Sequence, residues 1–380
     1  MSTVIGADHT WALWAVLLSA AAFGLWAERT NWGKKVSSAV LTIGATFLLS
    51  NLGVIPVASP VYDVVWTYFV PLAIPLLLLR ANLQRILREA GPTLLAFTAG
   101  AVGTVLGTLI AFRLIPLGPE GYKIAGIFCA TYIGGSLNYV AASEVLDLRS
   151  GDLLTAGIAA DNLAMTLYFL VLFALPSIPA IRRRYVERHL ANHENAGEAG
   201  SPTVGPVVPF RLFDAAASLA IAAVLCAVGY AIAAAVGVDS GAILIVTALA
   251  VALASLFPSR LSKLSGAEET GTLLMMVFFA VIGASANIGV VLREGPVLFA
   301  FAGLILTVHL AVILGAGKLF KLDLAEIVIA SNANMGGPTT AAAMASARHW
   351  TALVTPAILC GTLGYAVATF IGAAVGNWLK

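Results

Sequence analysis

Charged residues are scarce in this chain. Asp, Glu, Lys and Arg make up only 11% of the 380 residues, while 60% are hydrophobic; a soluble domain carries about 25% charged residues. Such a chain has too little polar material to cover a surface that faces water on all sides. The formal net charge of +2 also leaves no large basic face for nucleic acid. The composition therefore predicts an all-α polytopic membrane protein, expected to be a multi-pass protein of the cytoplasmic (inner) membrane.

The chain also has only three cysteines and lacks recognisable catalytic motifs. Cys129, Cys226 and Cys360 lie far apart in apolar segments, which indicates small core residues rather than a disulfide framework or a metal site. No HExxH, GxSxG or Walker-type stretch occurs, so neither an enzyme nor nucleotide hydrolysis is expected. No cofactor is expected beyond Na⁺ as a coupling ion. The start, MSTVIGADHT, lacks the basic residues of a secretory signal, so residues 11–27 are expected to remain as a span.

The long apolar runs fall into two sets of six. The first set lies at about 11–27, 36–55, 61–80, 92–115, 121–146 and 152–176, and the second at about 212–236, 239–257, 267–286, 296–316, 324–346 and 351–378. Many approach the ~20 residues that a spanning helix needs. Between the sets, residues 181–209 contain three consecutive arginines and the stretch HENAGEAGSPTVGP, which is typical of a solvated linker.

The two sets are predicted to be copies of one another. ANLQRILREAGPTLLAF (81–97) matches ANIGVVLREGPVLFAF (286–301) with one residue fewer, and SSAVL (37–41) resembles SGAIL (240–244) at nearly the same offset. Paired glycines recur at that offset too. A near-constant offset across several matches indicates a duplication. We therefore expect a first repeat at 1–180, a cytoplasmic linker at 181–209 and a second repeat at 210–380.

Basic clusters predict the topology. They occur in alternate loops of the first set, at Arg29, Lys34 and Lys35 and again at Arg80, Arg85 and Arg88. The positive-inside rule places these loops in the cytoplasm and the N-terminus outside. The arginines at 182–184 are expected inside too, which requires an odd number of crossings. Segment 121–146 is the best candidate for a re-entrant hairpin; alternatively it crosses as a broken helix and another segment is partial. The halves are then inverted repeats, each with about five crossings and one Gly-broken segment, re-entrant or unwound.

Two polar stretches interrupt the apolar runs, ATYIGGSLNYVAA (130–142) and ASNANMGGPTTAAAM (330–344). Irregular backbone survives at membrane depth only where it is buried in protein or lines a wet cavity. Matching breaks in two inverted halves indicate a transporter's binding site. The predicted substrate-binding residues are Gly134, Gly135, Ser136, Asn138, Asn332, Asn334, Gly336, Gly337, Thr339 and Thr340. The alternative is close helix packing through small residues.

One carboxylate lies deep in an apolar segment. Asp161 and Asn162 stand in GIAADNLAMTLYF, directly after the first polar stretch. A buried carboxylate is costly in a membrane and is by default a functional candidate, although a structural hydrogen bond is the alternative. The predicted ion-binding residues are Asp161, Asn162, Asn138 and Asn334. His309, a lone histidine on an apolar helix, is interpreted as a core residue with satisfied hydrogen bonds.

The residues also carry a family resemblance. ANMGGPTTAAAMASA (333–347) and GGSLNYVAASEVL (134–146) resemble the YjcL-like family of bacterial membrane proteins over essentially the whole chain. More distantly, the order of segments is similar to bile-acid:sodium symporters and cation/proton antiporters. That similarity implies inverted repeats with a panel domain and a core domain, the core carrying the broken helices. It also implies that Asp161-Asn162 occupies the place of the antiporters' ion-binding pair, with the order reversed from Asn-Asp.

These observations predict an ion-coupled (Na⁺ or H⁺) secondary transporter. The solute is expected to be a small organic anion bound at the crossing of two broken helices near the bilayer midplane. Two alternatives are a cation/proton antiporter without organic substrate and a non-transporting membrane scaffold or sensor. The expected partners are the small-molecule solute and the lipid bilayer, with a homodimer left open and no nucleic acid.

Overall fold

The computed structural model describes residues 3–27, 29–30, 38–186, 210–237, 242–348 and 350–380. Within these residues the chain is all-helical and contains no strand; one isolated bridge joins Val186 to Asp323. The predicted all-α class is confirmed. Lys34, Lys35 and most of the predicted linker lie outside the described residues, and the division into two repeats and a linker stays a prediction.

In the part of the first set that the structure describes there are ten helices. They are α1 Thr10–Ala27, α2 Ser38–Asn51, α3 Pro60–Val64, α4 Val70–Leu78, α5 Leu83–Glu89, α6 Gly91–Leu114, α7 Gly121–Gly134, α8 Ser136–Val145, α9 Gly151–Ala174 and α10 Pro179–Arg182. A π-helical turn at Val65–Phe69 joins α3 to α4, so these two helices make one span.

The described residues of the second set form seven helices. They are α11 Leu212–Val236, α12 Ala242–Leu256, α13 Pro258–Leu261, α14 Ala267–Ala284, α15 Ile288–Leu319, α16 Leu324–Ala347 and α17 Val354–Leu379. Across the described residues, eight helices or joined helices are long and apolar enough to cross a membrane, namely α1, α3–α4, α6, α9, α11, α14, α15 and α17. The apolar helices α2 and α12 are shorter.

One span differs from its sequence prediction. The segment predicted at 296–316 is part of a helix that begins at Ile288, capped by Asn287, whose side chain accepts from Gly289 N (2.8 Å). In the first copy the chain breaks between α5 and α6, where Gly91 has φ +53°. The second copy lacks the residue aligned with Ala90. Without that residue the helix runs on through Pro296, and the proline marks no boundary.

The helices pack in two groups. In one, α1 and α2 of the first set contact α14 of the second, and α11 and α12 of the second set contact α4 of the first. In the other, α6 packs along α15, and α17 packs against α7 and α16. The two sets therefore exchange contacts reciprocally in the first group. This pattern agrees with the predicted panel and core domains, which stay a prediction.

Contacts between helix ends define two faces of the bundle. At the first, Val4 N donates to Gly53 O (3.0 Å), and the Lys380 ammonium lies 6.0 Å from the centre of the Tyr122 ring. We call this the terminal face. Here α1 and α7 begin and α17 ends.

The opposite end holds the residues that flank the linker. Leu324 N donates to Val186 O (3.2 Å), which places the start of α16 beside the end of α10. Arg80, after α4, pairs with Glu268 at the start of α14 (3.7 Å). We call this the linker face. Since α1 starts at the terminal face and α11 at the linker face, the two sets run in opposite directions, as inverted repeats require; the repeat itself stays a prediction.

The segment α7–α8 is a helical hairpin. Lys123 Nζ, near the start of α7, donates to the carbonyl of Asp147 just after α8 (2.8 Å). Both ends of the segment therefore lie at the terminal face, and the chain enters and leaves on the same side. This is the re-entrant arrangement that the sequence favours for residues 121–146.

Helix α16 folds back in the same way from the linker face. It begins beside Val186, and Arg348, just after its end, donates to the carbonyl of Phe173 near the end of α9. The Arg348 guanidinium also lies over the Phe173 ring at 5.4 Å. The kink at Gly337 separates the two arms. Two hairpins thus enter the bundle from opposite faces.

Candidate solute and ion site

The two hairpin tips share one backbone conformation. Gly135 has φ 79° and ψ 178°, and Gly337 has φ 75° and ψ −165°. Residues with a side chain rarely adopt this region, so glycine is needed at both turns. At each turn one helical arm ends and the next begins, as the paired glycines predict.

The tips are in contact. A Cβ atom added at Gly135 would lie 3.2 Å from Gly337 N and 3.3 Å from the carbonyl carbon of Gly336. Helix α17 crosses beside them, and a Cβ added at its Gly361 would lie 2.6 Å from Pro338 Cα. The predicted meeting of the two glycine pairs is therefore found. The expected crossing of two broken helices is corrected, because hairpins from opposite faces meet tip to tip.

A cavity of about 560 Å³ lies beside the joined tips. Ser136 and Thr339, the residues that begin the second arms of the hairpins, are exposed to it. The remaining lining comes from α4, α14 and α17, with Arg80 and Glu268 among the lining residues. Because this ion pair lies at the linker face, the cavity extends from the tips toward that face.

The cavity receives two helix N-termini. The first amides of a helix have no acceptor within that helix and carry a partial positive charge. The arm that starts at Ser136 has ten residues and runs to Val145. In the second hairpin Pro338 has no amide hydrogen, so Thr339 supplies the first one. The C-termini of the first arms end at the same turns, so each tip presents both helix ends, and the N-terminal amides supply hydrogen-bond donors on the cavity side.

Asn138 lies behind the first tip and is fully buried. Its Nδ2 donates to Gly134 O (2.8 Å), across the turn, and its Oδ1 accepts from Thr369 Oγ1 on α17 (2.7 Å). Both ends of the amide are therefore used within the protein. The side chain ties the two arms of the first hairpin together, and its predicted binding role stays a prediction.

Asn332 does the same for the second hairpin. Its Oδ1 accepts from Thr340 Oγ1 on the opposite arm (2.7 Å), and its Nδ2 approaches Met344 Sδ at 3.4 Å. Thr340 also donates to Gly337 O (3.3 Å). Thr340 is therefore engaged in holding the turn, whereas Thr339 beside it faces the cavity.

Asn334 lies where the two hairpins join. It is completely buried, and the carbonyl oxygens of Ile133, Ala330 and Phe97 surround its amide at 3.4, 3.1 and 3.3 Å. Since carbonyls only accept, the amide nitrogen is assigned to the side where it donates to two of them, Ala330 O and Phe97 O. Asn334 thereby links α16 to α6.

Asp161 is buried on α9 beside the first hairpin. The carboxylate and the Tyr132 hydroxyl lie next to each other, and neither Oδ1 nor that hydroxyl has another hydrogen-bond partner among the described residues. Tyr139 lies near as well, but its hydroxyl donates to Leu154 O (3.0 Å). Tyr132 is three residues before Gly135. The acid and the tip are thus connected through one turn of α7.

Asn162 follows Asp161 on α9. Its Nδ2 donates to Ile158 O one turn back in the same helix (2.8 Å), and its side chain is half-buried. Consecutive residues of a helix point in different directions. The ion-binding role of Asp161 and Asn162 stays a prediction.

His309 has both ring nitrogens satisfied. Nδ1 lies 2.8 Å from Gly100 O and 3.0 Å from Thr104 Oγ1, and Nε2 lies 2.9 Å from Ser331 Oγ. A carbonyl only accepts, so Nδ1 carries the proton and Ser331 donates to Nε2. A neutral ring fits every partner, which agrees with the interpretation of His309 as a core residue.

The histidine network extends to both hairpins. Since Ser331 donates to the ring, Tyr168 must donate to Ser331 (2.7 Å), while Thr104 donates to Tyr132 O (3.0 Å). The chain of bonds links α9, α16, α15, α6 and α7. The sequence analysis missed Tyr168 and Ser331. The seven-residue spacing from Asp161 to Tyr168 places both on one helix face and was the available signal.

Comparisons with known proteins agree with the membrane architecture. The family model described as "Protein of unknown function (DUF819)" matches residues 15–380. A relative from Bacillus subtilis (strain 168), "Uncharacterized membrane protein YjcL", is 38% identical over 394 aligned residues that cover 100% of this chain and 99% of the relative. The YjcL-like resemblance is confirmed, and so is a membrane protein with several transmembrane helices. The more distant similarity to symporters and antiporters stays a prediction.

Proposed function

The chain belongs to the DUF819 family, and we propose that it is an ion-coupled secondary transporter of a small organic anion. One observation carries the proposal: two re-entrant hairpins enter from opposite faces and meet at a cavity of about 560 Å³. Half-helix ends at the interface of two inverted halves are the recurrent construction of a transporter's binding site. A scaffold or sensor has no need of such a cavity.

The solute binds against the hairpin tips. Ser136 and Thr339 present hydroxyls and the first amides of the second arms to the cavity. An anionic group placed there is stabilised by both helix ends. Gly134, Gly135, Gly336 and Gly337 form the turns themselves, and Asn138, Asn332 and Asn334 hold the turns in shape.

The coupling ion binds at Asp161, as a proton on the carboxyl group or as Na⁺ beside it. A charged carboxylate that faces only an uncharged donor, here the Tyr132 hydroxyl, is costly in a buried site, and a cation or a proton at Asp161 offsets that cost. Because Tyr132 lies next to Asp161 and three residues before Gly135, the cation or proton binds close to the first hairpin tip. Occupation of the carboxyl group would thereby alter the packing of the first tip, on which the solute site is built.

Flux measurements on the reconstituted protein test the proposal. Purified protein in liposomes is given labelled organic acids under an inward Na⁺ gradient, an inward proton gradient or no gradient, with protein-free liposomes as the control. Gradient-dependent accumulation of an acid is the expected result. Cation/proton exchange reported by an internal dye without any acid would instead identify an antiporter. Absence of both fluxes would contradict transport.

A further inference from the structure

We propose that three aromatic side chains, Trp66, Phe278 and Phe279, form a barrier in the route of the solute, and that a second cavity, at the terminal face, is the other opening of that route. The proposal rests on the proposed function and adds the path by which the solute passes the hairpin tips. It is drawn from the positions of two cavities along the same three elements.

The second cavity, of about 590 Å³, lies at the terminal face. Ser59 lines it and donates to Ala7 O (2.7 Å), just before α1 begins, and Glu144 lines it near the end of α8. The cavity at the tips reaches instead to Arg80 and Glu268 at the linker face. The two cavities therefore lie toward opposite faces of the bundle.

Three elements each contribute to both cavities. The residues that line the cavity at the tips and the second cavity, in that order, are Leu137 and Glu144 on α8, Leu77 and Thr67 on the α3–α4 span, and Phe279 of α14 and Ser285 directly after it. At 1.5 Å per residue, about 9–15 Å separates the two members of each pair along the helix axis. Both cavities therefore lie along one interface, between the first hairpin and the first group of helices.

Between the cavities this interface is packed and apolar. Helix α4 contacts both α8 and α14 there. The residues at intermediate positions are at most 2% exposed and belong to one hydrophobic core, namely Val70, Ala73 and Ile74 of α4, Val140 and Ala141 of α8 and Ile282 of α14. An organic anion that entered such packing would lose its hydration, which is costly. The two cavities are therefore separate in this state.

Three aromatic rings join the two cavities across this packed region. Trp66 lines the second cavity, and its ring meets that of Phe278 edge to face, with 4.6 Å between the ring centres. Phe278 is fully buried, and its ring centre lies 6.0 Å from that of Phe279, which lines the cavity at the tips. One buried ring therefore separates a residue of one cavity from a residue of the other.

The local structure at Trp66 supports a barrier that moves. Trp66 lies in the π-helical turn Val65–Phe69, within a span that is otherwise α-helical. Such turns are rare and occur frequently at functional sites. The Arg149 guanidinium lies 4.5 Å from the centre of the Trp66 ring and pairs with Glu144 of α8 (2.8 Å). A displacement of the first hairpin would therefore move Arg149 away from Trp66 and loosen its contact with Phe278.

Thiol accessibility tests the two openings without any solute. In a background without Cys129, Cys226 and Cys360, Thr67→Cys places a thiol in the second cavity and Thr272→Cys places one in the cavity at the tips. A small, charged, membrane-impermeant methanethiosulfonate is added to intact cells or to inverted membrane vesicles. One thiol should react faster from the cell exterior and the other from the interior. Faster reaction of both from the same side would overturn the inference.

Removal of the middle ring tests the path between the openings. Phe278→Ala should raise the rate at which Thr272→Cys reacts from the side of the second cavity by at least about tenfold. The expected cause is a gap between Trp66 and Phe279. Phe278→Leu fills part of that gap and should give a smaller increase, which keeps the test decisive where the alanine variant does not fold.

Phe301→Ala is the matched control for a general loosening of the core. Phe301 is also fully buried, on α15, and is not among the described residues that line either cavity. Its truncation should leave the reaction of Thr272→Cys from the side of the second cavity unchanged. An equal increase in the Phe301 and Phe278 variants, or no increase in either Phe278 variant, would overturn the inference.

The thiol and flux measurements separate this inference from the proposed function. Faster reaction of Thr272→Cys in Phe278→Ala, without flux of any acid in liposomes, would support the two openings and refute anion transport. Uptake of an acid together with an unchanged thiol reaction in both Phe278 variants would refute the route alone.

Discussion

Asp161 is the residue on which ion coupling depends in this proposal. Asp161→Asn keeps the volume nearly unchanged and removes the titratable, negatively charged group. We expect the variant to fold and to lose ion-dependent uptake or ion-induced thermal stabilisation, because the cation or proton no longer has a carboxylate to occupy. The measurement is uptake in liposomes with and without the ion gradient.

Asn162→Ala serves as the neighbouring control. Its amide bonds within its own helix, so the substitution should affect ion dependence less than Asp161→Asn. Full ion dependence in Asp161→Asn would make the carboxylate structural. The ion site would then have to consist of backbone carbonyls and the polar side chains at the two tips.

The tip glycines lead to a second prediction at the residue scale. Gly135→Ala and Gly337→Ala place a Cβ in a left-handed conformation and, at Gly135, 3.2 Å from the amide nitrogen of Gly337. Each should destabilise the protein by about 1–3 kcal/mol and lower the melting temperature in detergent. Gly44→Ala is the control, because Gly44 is helical and a Cβ there meets nothing within 4 Å. Equal melting temperatures in all three variants would contradict the tip geometry.

The buried network of His309 gives a third prediction. His309→Phe leaves Ser331 Oγ and Gly100 O without their partner in a dry interior, which costs about 1–3 kcal/mol for each lost group. His309→Gln retains an amide donor and acceptor and should lose less stability. Thermal denaturation of the two variants checks the order. A Phe variant as stable as the native protein would show that the network contributes no net stability.

At the scale of elements, the hairpins can be tested by labelling. In a background without Cys129, Cys226 and Cys360, Pro119→Cys and Asp147→Cys introduce thiols at the two exposed ends of α7–α8. If the segment is re-entrant, an impermeant maleimide added to intact cells should label both positions. Labelling of only one would mean that the segment crosses the membrane.

Much of the element order could be predicted from the sequence. The paired glycines beside polar residues favoured two helix breaks over close helix packing, and the structure has a turn at Gly135 and at Gly337. The sequence could not show that the three asparagines point back into the hairpins. The direction of each side chain depends on the rotation of its helical arm about the helix axis. The sequence does not predict that rotation where apolar residues occur on every face of the arm.

The cavity wall was missed for a related reason. Helix α14 reads as an ordinary apolar segment, and only its position opposite the tips gives Met275 and Phe279 a role. The start of α15 was misplaced because Pro296 reads as a first-turn proline. The Asn287 cap starts the helix eight residues earlier, and the helix continues through the proline.

At the scale of the whole molecule, basic residues are divided unevenly between the two faces. The linker face has Arg29, Arg80, Arg85, Arg88, Arg182, Arg183, Arg184, Arg211, Arg260, Lys263, Lys318, Lys321 and Arg348, whereas the terminal face has Arg113, Lys123, Arg149, Arg293 and Lys380. The positive-inside rule predicts that the linker face is cytoplasmic. With that orientation the cavity at the tips would open toward the cytoplasm.

Contacts at the terminal face join the first hairpin to the first group of helices. The Arg149 guanidinium lies 4.5 Å from the centre of the Trp66 ring, on the span formed by α3 and α4, and it also pairs with Glu144 at the end of α8 (2.8 Å). The second cavity, of about 590 Å³, is lined by these three residues.

The last prediction concerns which face is outside. Alkaline phosphatase, which folds only outside the cytoplasm, should be active when fused after Lys380, and a fluorescent protein that folds only in the cytoplasm should be dark there. The same fluorescent protein inserted within 190–205 should be bright, because that segment joins ends at the linker face. An inactive phosphatase after Lys380 together with a dark fluorescent protein within 190–205 would place the linker face outside. The cavity at the tips would then open to the outside. The residues that line this cavity would be the same with that orientation, but the cavity would receive a solute from outside the cell.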